Sequence, residues 1–264
     1  MVRDPTENAA VACSALLAGI DGMIERLPES QRVARSALLV RTVSEEAVCH
    51  VAGQQQPDGG WTDAEETAWS CAYLAFCRSD HSALADGTEW LTRERLPRGG
   101  WGNSLRDRPR IPTTGLVLRL LGAEVGGTCD WELLNSLWSK DLEAEVTLSY
   151  KGGFYLMASA TGPQLSQDLV ERTFTHLCGE QNGDGGFGPW RTHPIGSDPW
   201  STGICLVGIC SFAELADREM VERAVEWLCK TQLPSGYWPY HFIDEGSAYA
   251  YWGLTEAIRF LELS

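Results

Sequence analysis

The eighteen residues VERTFTHLCGEQNGDGGF at 170 to 187 return 51 positions later as VERAVEWLCKTQLPSGYW at 221 to 238. Val170, Glu171, Arg172, Cys178 and Gln181 are identical in the two copies. Two earlier stretches follow the same plan, AVCHVAGQQQPDGGW ending at Trp61 and GTEWLTRERLPRGGW ending at Trp101. Each copy reads as an amphipathic helix, a glycine-rich turn and an aromatic residue. Repeats of this length mean that one helical unit cannot bury its apolar face alone and must stack on its neighbours.

A second helical segment follows each turn and aligns on a small residue: Thr67, Thr114, Gly152, Thr202 and Ser247, spaced by 47, 38, 50 and 45 residues. These second segments carry almost no charge, whereas the first are charged along one face, so the former are inner helices and the latter outer. At the N-terminus, NAAVACSALLAGIDGMI reads as one more inner helix. The stretch QRVARSALLVRTVSEEAVCHVAG then reads as one long outer helix. The expectation is an all-α chain, an α/α toroid of about six inner and five outer helices. No linker or shift of composition divides it, so residues 1–264 are expected to form one domain.

The turns have a local cause. The glycine pairs at 59–60, 99–100 and 185–186 allow positive φ after a helix end. Gln55, Gln181 and Gln232 each precede the aromatic by six residues, where an amide can satisfy helix-end groups. Asp58 and Asp184 fall inside the turns and read as turn formers.

A formal charge of −15 argues against a nucleic-acid surface, which needs clustered lysine and arginine. No apolar run reaches the ~18 residues of a spanning helix, and the acidic start MVRDPTEN lacks the basic region of a signal peptide. A cytoplasmic location is therefore expected. The nine cysteines form no CxxC pair and lie mostly at apolar-periodic positions, which supports neither a disulfide framework nor a zinc knuckle.

The turns QQPDGGW, EQNGDGGF and TQLPSGYW resemble the Gln-Trp repeats of the squalene-hopene cyclase and protein prenyltransferase superfamily, over roughly residues 30 to 262. Within it, DAEETA at 63 to 68 resembles the Asp-x-Asp-Asp-Thr-Ala motif of class II terpene cyclases, with glutamates in the last two acidic places. The resemblance implies Glu65 as the proton-donating acid and Asp63 and Glu66 as the flanking carboxylates. Squalene-type cyclases enclose substrate between two helical domains. The pocket here is expected inside the toroid, or completed by a partner or a second copy, as in a homodimer. For the zinc prenyltransferase branch, Asp198 matches one ligand, but Trp200 stands in the cysteine place and Gly246 near the histidine place. A zinc site is not supported. Lanthionine-type cyclases also pair a toroid with zinc, but Cys49-His50 lies on an outer helix.

An acid that protonates an alkene must keep its proton near neutral pH, which requires burial or like-charged neighbours. Asp63, Glu65 and Glu66 supply the neighbours, while a helix N-terminus opposes them by about 0.3–1 kcal/mol. The competing reading is that the three simply cap an inner helix, since Asp63 and Glu66 have capping spacing. A cation formed on the substrate needs π faces, and Trp69, Tyr73, Phe154, Trp200, Tyr249, Tyr251 and Trp252 lie on or beside inner helices. The residues just before each inner helix share one rim. There Arg106, Arg108 and Arg110 are candidates to clamp a diphosphate or carboxylate, or else to pair with the acidic turn. His193, Asp198, His241, Asp244 and Glu245 share that rim, with His193 or His241 placed to orient the acid.

The expected function is acid-initiated cyclisation of a hydrophobic isoprenoid, terpenoid or meroterpenoid, as an alkene or epoxide. No cofactor is expected, with Mg entering only if the substrate is a diphosphate. Alternatives are a non-catalytic toroid that binds an apolar ligand or a protein, and a tailoring cyclase for another prenylated or peptide substrate.

Overall fold

The computed structural model describes residues 4–24, 33–77, 80–104, 107–163 and 166–263. Among them are twelve helices and no strand. Six form a closed ring, each packed on the next: α2 (Val33–Leu39), α4 (Ala64–Phe76), α6 (Ile111–Val125), α8 (Ser149–Ser159), α10 (Pro199–Cys210) and α12 (Ile243–Leu263), with α12 returning to α2. Outside them lie α1 (Pro5–Ile24), α3 (Glu45–Gly53), α5 (Ser82–Glu94), α7 (Thr128–Asp141), α9 (Gln167–Glu180) and α11 (Arg218–Thr231). The architecture is an α/α toroid.

The repeat residues turn the sequence pattern into a fixed set of hydrogen bonds. The aligned hydroxyls of Thr67, Thr114, Thr202 and Ser247 each accept the backbone N–H of Trp61, Trp101, Phe187 and Trp238, all at 2.9 Å. The indole N–H groups of Trp61, Trp101 and Trp238 then donate to carbonyls ten residues back, on Val51, Leu91 and Leu228. A ring that would otherwise bury an unsatisfied donor is thereby locked to the end of its own outer helix. The Gln55, Gln181 and Gln232 amides each donate twice, to the turn glycine carbonyl and to a carbonyl of another outer helix, Ala83, Met220 and Ala12 respectively. In the second unit Arg95 takes the glutamine place and pairs at 2.7 Å with buried Asp130, which also accepts from Gly100 N–H. Asp58 and Asp184 bond the turn amides of Gly60 and Gly186 and the indoles of Trp90 and Trp227, a turn-forming role.

Two N-terminal expectations are corrected. Helix α1 packs on α11 and α12 and receives Gln232 as α5 receives Gln55, so it is a sixth outer helix and not an inner one. The long outer helix is two elements. Arg41 adopts φ +55 and Thr42 N–H reaches back to Ala37 C=O at 2.9 Å, which ends α2. Ser44 then caps α3 through Ala47 N–H. Ala34 and Ala37 are therefore buried against the ring, and Arg35 comes inside with them.

On one side the inner helices touch backbone to backbone. A Cβ on Gly203 of α10 would stand 2.2 Å from the Tyr249 carbonyl of α12, and one on Gly208 would stand 2.6 Å from the Gly153 carbonyl of α8. This close packing brings Phe154, Trp200 and Tyr249 together from three helices.

Candidate functional site

The first turn of α4 distributes three carboxylates among three kinds of partner. Asp63 is the N-cap: its Oδ1 accepts from the backbone N–H groups of Glu65 and Glu66, both at 2.9 Å. Glu66 is buried and paired through Oε1 with Arg35 Nη2 at 2.9 Å. Glu65 Oε1 accepts from the Thr113 hydroxyl of α6 at 2.8 Å. Among the described residues, Glu65 bonds a neutral hydroxyl, Glu66 a guanidinium and Asp63 backbone amides.

The electrostatics follow from those partners. Burial raises the Glu65 carboxyl above its usual range, the Thr113 bond works against this, Asp63 adds to the rise, Arg35 lowers it and Glu245 raises it again. Glu65 keeps part of its accessible surface, yet protein surrounds it densely enough for desolvation to lead. Arg35 is 3% exposed. Burial works against its charge, but Glu66, Tyr249, Glu245 and Glu65 hold the guanidinium above its ordinary value. Its carbon sits 5.7 Å from the Trp69 ring centre and 5.8 Å from that of Tyr249, a cation between two π faces. Among the described residues Arg35 Nε and Nη1 have no hydrogen-bond partner.

The aromatic residues form one connected set. Trp69 meets Trp252 at 5.4 Å and Tyr249 at 6.2 Å; Tyr249 meets Phe154 at 6.1 Å and Trp200 at 5.9 Å. Trp200 stacks on Tyr240 at 6.3 Å and meets Tyr150 edge-on at 4.8 Å. Its indole N–H donates to Glu245 Oε1 at 3.1 Å. Trp69, Phe154 and Tyr249 are at most 1% exposed, whereas Trp200, Tyr150 and Tyr240 are half-buried. Accessible aromatic surface thus lies at the end of the ring where inner helices begin, the end that carries Glu65.

The remaining predicted residues divide. Asp198 caps α10, accepting from Ser201 N–H at 2.8 Å and Ser201 O–H at 2.7 Å, and burial raises its carboxyl against those bonds. Arg110 pairs with Asp107 at 2.6 Å, Arg108 is exposed, and Arg106 lies outside the described residues. His193 accepts from Ile195 N–H within its own loop. His241 is exposed beside Tyr240, with Asp198 as an electrostatic neighbour. Neither histidine is the partner of Glu65; Thr113 is. Tyr73 lies near Ser44 and Cys77, toward α3, and is not brought to the others. Tyr251 is buried, with Cys13 of α1 among its electrostatic neighbours. Sequence reasoning missed Arg35 and Thr113. The signal for Arg35 was a lone cation in the apolar run VARSALL, and for Thr113 its place one residue before the aligned Thr114.

Among the described residues no group of three or more His, Cys, Asp or Glu side chains converges to hold a metal, and no helix is long and apolar enough to cross a membrane.

No family model matches the chain. It is 23% identical over 208 residues to drimenyl diphosphate synthase of Streptomyces showdoensis, a match covering 69% of this chain and 39% of that protein. The chain thus spans about two fifths of the length of that curated relative. Its structure superposes on type II terpene cyclase MstE from Scytonema with TM-score 0.72 at 16% identity, covering 97% of this chain and 99% of the other. A variant of MstE in complex with geranylgeranyl dihydroxybenzoate as substrate gives TM-score 0.74 at 15% identity, with 97% and 99% covered. A protein from Actinoplanes gives 0.71 at 16% identity, covering 96% and 99%. At these identities the likeness is one of fold, and the fold is that of the type II terpene cyclases.

Proposed function

We propose that the chain catalyses protonation-initiated cyclisation of an isoprenoid substrate, with Glu65 as the acid. One observation carries this reading. Asp63 is tied to backbone amides and Glu66 to Arg35, so the proton of the cluster resides on the carboxyl without a countercharge of its own. Glu65 Oε1 is occupied by Thr113, which leaves Oε2 to carry the hydrogen.

In the reaction Glu65 transfers that hydrogen to the less substituted carbon of the terminal alkene, which leaves a tertiary cation on its neighbour, or to an epoxide oxygen, and is itself left as a carboxylate. The π electrons of the next double bond close the ring onto the tertiary cation, and loss of a proton to water ends the sequence. The accessible face of Trp200, with Tyr150 and Tyr240, supplies π density beside the developing cation at about 0.5–2 kcal/mol per face. No metal takes part in these steps; Mg would enter only as companion to a diphosphate group on the substrate, with Arg108 and Arg110 on the same rim. The geranylgeranyl dihydroxybenzoate bound by one similar protein and the drimenyl diphosphate synthase activity of another favour a geranylgeranyl- or farnesyl-sized chain and extend to meroterpenoids. A single domain, a cytoplasmic location, no nucleic-acid partner and a homodimer that completes the pocket belong to the same proposal.

The Asp63 cap favours a second reading, in which the acidic turn only secures α4 and the toroid binds without catalysis. Incubation with farnesyl diphosphate, geranylgeranyl diphosphate and geranylgeranyl dihydroxybenzoate, followed by mass spectrometry of extracts, separates the two. A cyclised product lost in Glu65→Gln with an unchanged melting temperature supports the acid. Product that survives this substitution removes Glu65 from the chemistry.

A further inference from the structure

The opposite end of the ring, where inner helices finish, holds a recess of about 260 Å³ that none of the chemistry above uses. Its floor includes Trp69 and Trp252, and its wall carries Arg41, Arg119 and Arg259 with a single carboxylate, Glu256. Glu256 is committed to Arg259, Oε1 to Nη1 at 2.9 Å. Among the described residues Arg41 and Arg119 have no hydrogen-bonded or ion-paired side-chain partner. Three cations against one anion is an unusual local excess in a chain of formal charge −15.

Guanidinium groups near helix C-termini ordinarily answer the macrodipole or cap free carbonyls. That explanation does not cover Arg259, because α12 has no basic residue in its last turn. Helix α6 breaks at Leu121 (φ −136), which puts Arg119 beside the end of its first segment, yet its guanidinium has no hydrogen-bonded or ion-paired side-chain partner among the described residues. Arg41 occupies the left-handed position after α2, where the closing Thr42-to-Ala37 bond ordinarily selects glycine. Burial lowers the Arg119 guanidinium pKa, with Glu256 opposing and Arg259 adding to the fall, as expected of crowded cations short of anions. The two cations among the electrostatic neighbours of Tyr251 are the same Arg41 and Arg259.

We propose that this recess is a binding site for a compact polyanion of the phosphate class, separate from the acid end of the ring. At roughly 30 Å³ for each water-sized group the space holds about nine such groups. That accommodates an inorganic diphosphate or the head of a short diphosphate ester. Guanidinium forks match phosphate oxygens two at a time, and the indole floor excludes water from one side. The assignment does not depend on Glu65 being an acid catalyst.

Titration calorimetry of the full chain at low salt tests it, with inorganic diphosphate and then dimethylallyl diphosphate as probes. Saturable one-to-one binding is expected, weakened at least about tenfold in Arg119→Gln and in Arg41→Gln, each of which removes one fork. Glu256→Gln is expected to tighten binding several-fold by releasing Arg259, and Lys230→Gln, on the outer helix α11 and paired with Glu226, to leave it unchanged. Tighter binding of the ester than of the bare anion would assign the indole floor to its hydrocarbon; equal binding would assign the site to the headgroup alone. The exposed Arg41 gives a variant whose folding is secure if Arg119→Gln fails to fold. Absence of saturable heat up to about 10 mM overturns the proposal, as does undiminished binding in Arg41→Gln together with Arg119→Gln. Loss of binding in Arg110→Gln also overturns it, because it would move the site to the acid end.

Discussion

Helices α4 and α10 begin alike and then part. Both are capped by an aspartate, Asp63 and Asp198, and in both the fourth residue on is a threonine that accepts the amide of the repeat aromatic. The positions between differ: Ala-Glu-Glu in α4, Pro-Trp-Ser in α10. In α10 the third residue, Ser201, merely closes onto its own cap. In α4 the second and third residues reach out to Thr113 of α6 and Arg35 of α2. The repeat thus fixes where each inner helix starts, and the two carboxylates of the proposed acid site occupy positions that the repeat leaves free.

The largest effect that sharpens this contrast is on turnover. Glu65→Gln is expected to reduce product formation by about 10²–10⁴, the range of a lost general acid, whereas Ser201→Ala at the other helix leaves it within twofold. Next is Arg35→Met, which strands Glu66 as a buried unpaired carboxylate and is expected to cost about 3–5 kcal/mol in denaturant unfolding. The double variant Arg35→Met with Glu66→Gln should recover most of that loss; no recovery would mean that Arg35 is held by its rings and not by its ion pair.

Smaller effects test the shared part. Thr67→Val and Thr202→Val each leave a buried amide N–H without an acceptor and are expected to cost about 1–3 kcal/mol, in similar amounts. Clearly unequal losses would break the equivalence of the two units. Asp63→Ala removes a cap for about 1 kcal/mol.

The smallest effect is on pH dependence. Glu65 is raised in the fold by burial, so its contribution is fully present below the ordinary glutamate value of 4.5 and is lost as pH rises through its folded value. Relative to the parent, Glu65→Gln should therefore gain melting temperature as pH climbs above about 4.5 and gain nothing below it. A constant difference across that window would place Glu65 in water.

The toroid was legible because its cause is periodic. Glycine turns, Gln55, Gln181, Gln232 and the aligned threonines recur, and each recurrence makes the same bonds. The acidic turn was legible for a different reason: three carboxylates crowd the start of an otherwise nearly uncharged helix, in a stretch, DAEETA, that resembles a cyclase motif. The first fifty residues were misread because VARSALL and the stretch after it share one amphipathic pattern, and the break between them depends on Arg41 taking a conformation that no arginine advertises. Arg35 was lost with that misreading. Thr113 was lost because a pairing across 48 residues leaves no local trace. The buried state of Phe154 and Tyr249 depends on glycine contacts between helices, at Gly115 and Gly203, which composition alone does not reveal.

The bond from Gln232 to the Ala12 carbonyl joins residues 220 positions apart. At about 5–20 residues per second, a ribosome delivers the second partner roughly 10–45 s after the first. Throughout that interval α1 and α2 have emerged without α12, the helix on which both pack. The apolar sides of the earliest segments therefore wait uncovered for the latest one, so a chaperone that shields nascent chains should associate with residues 5–39 and depart only when the final unit arrives.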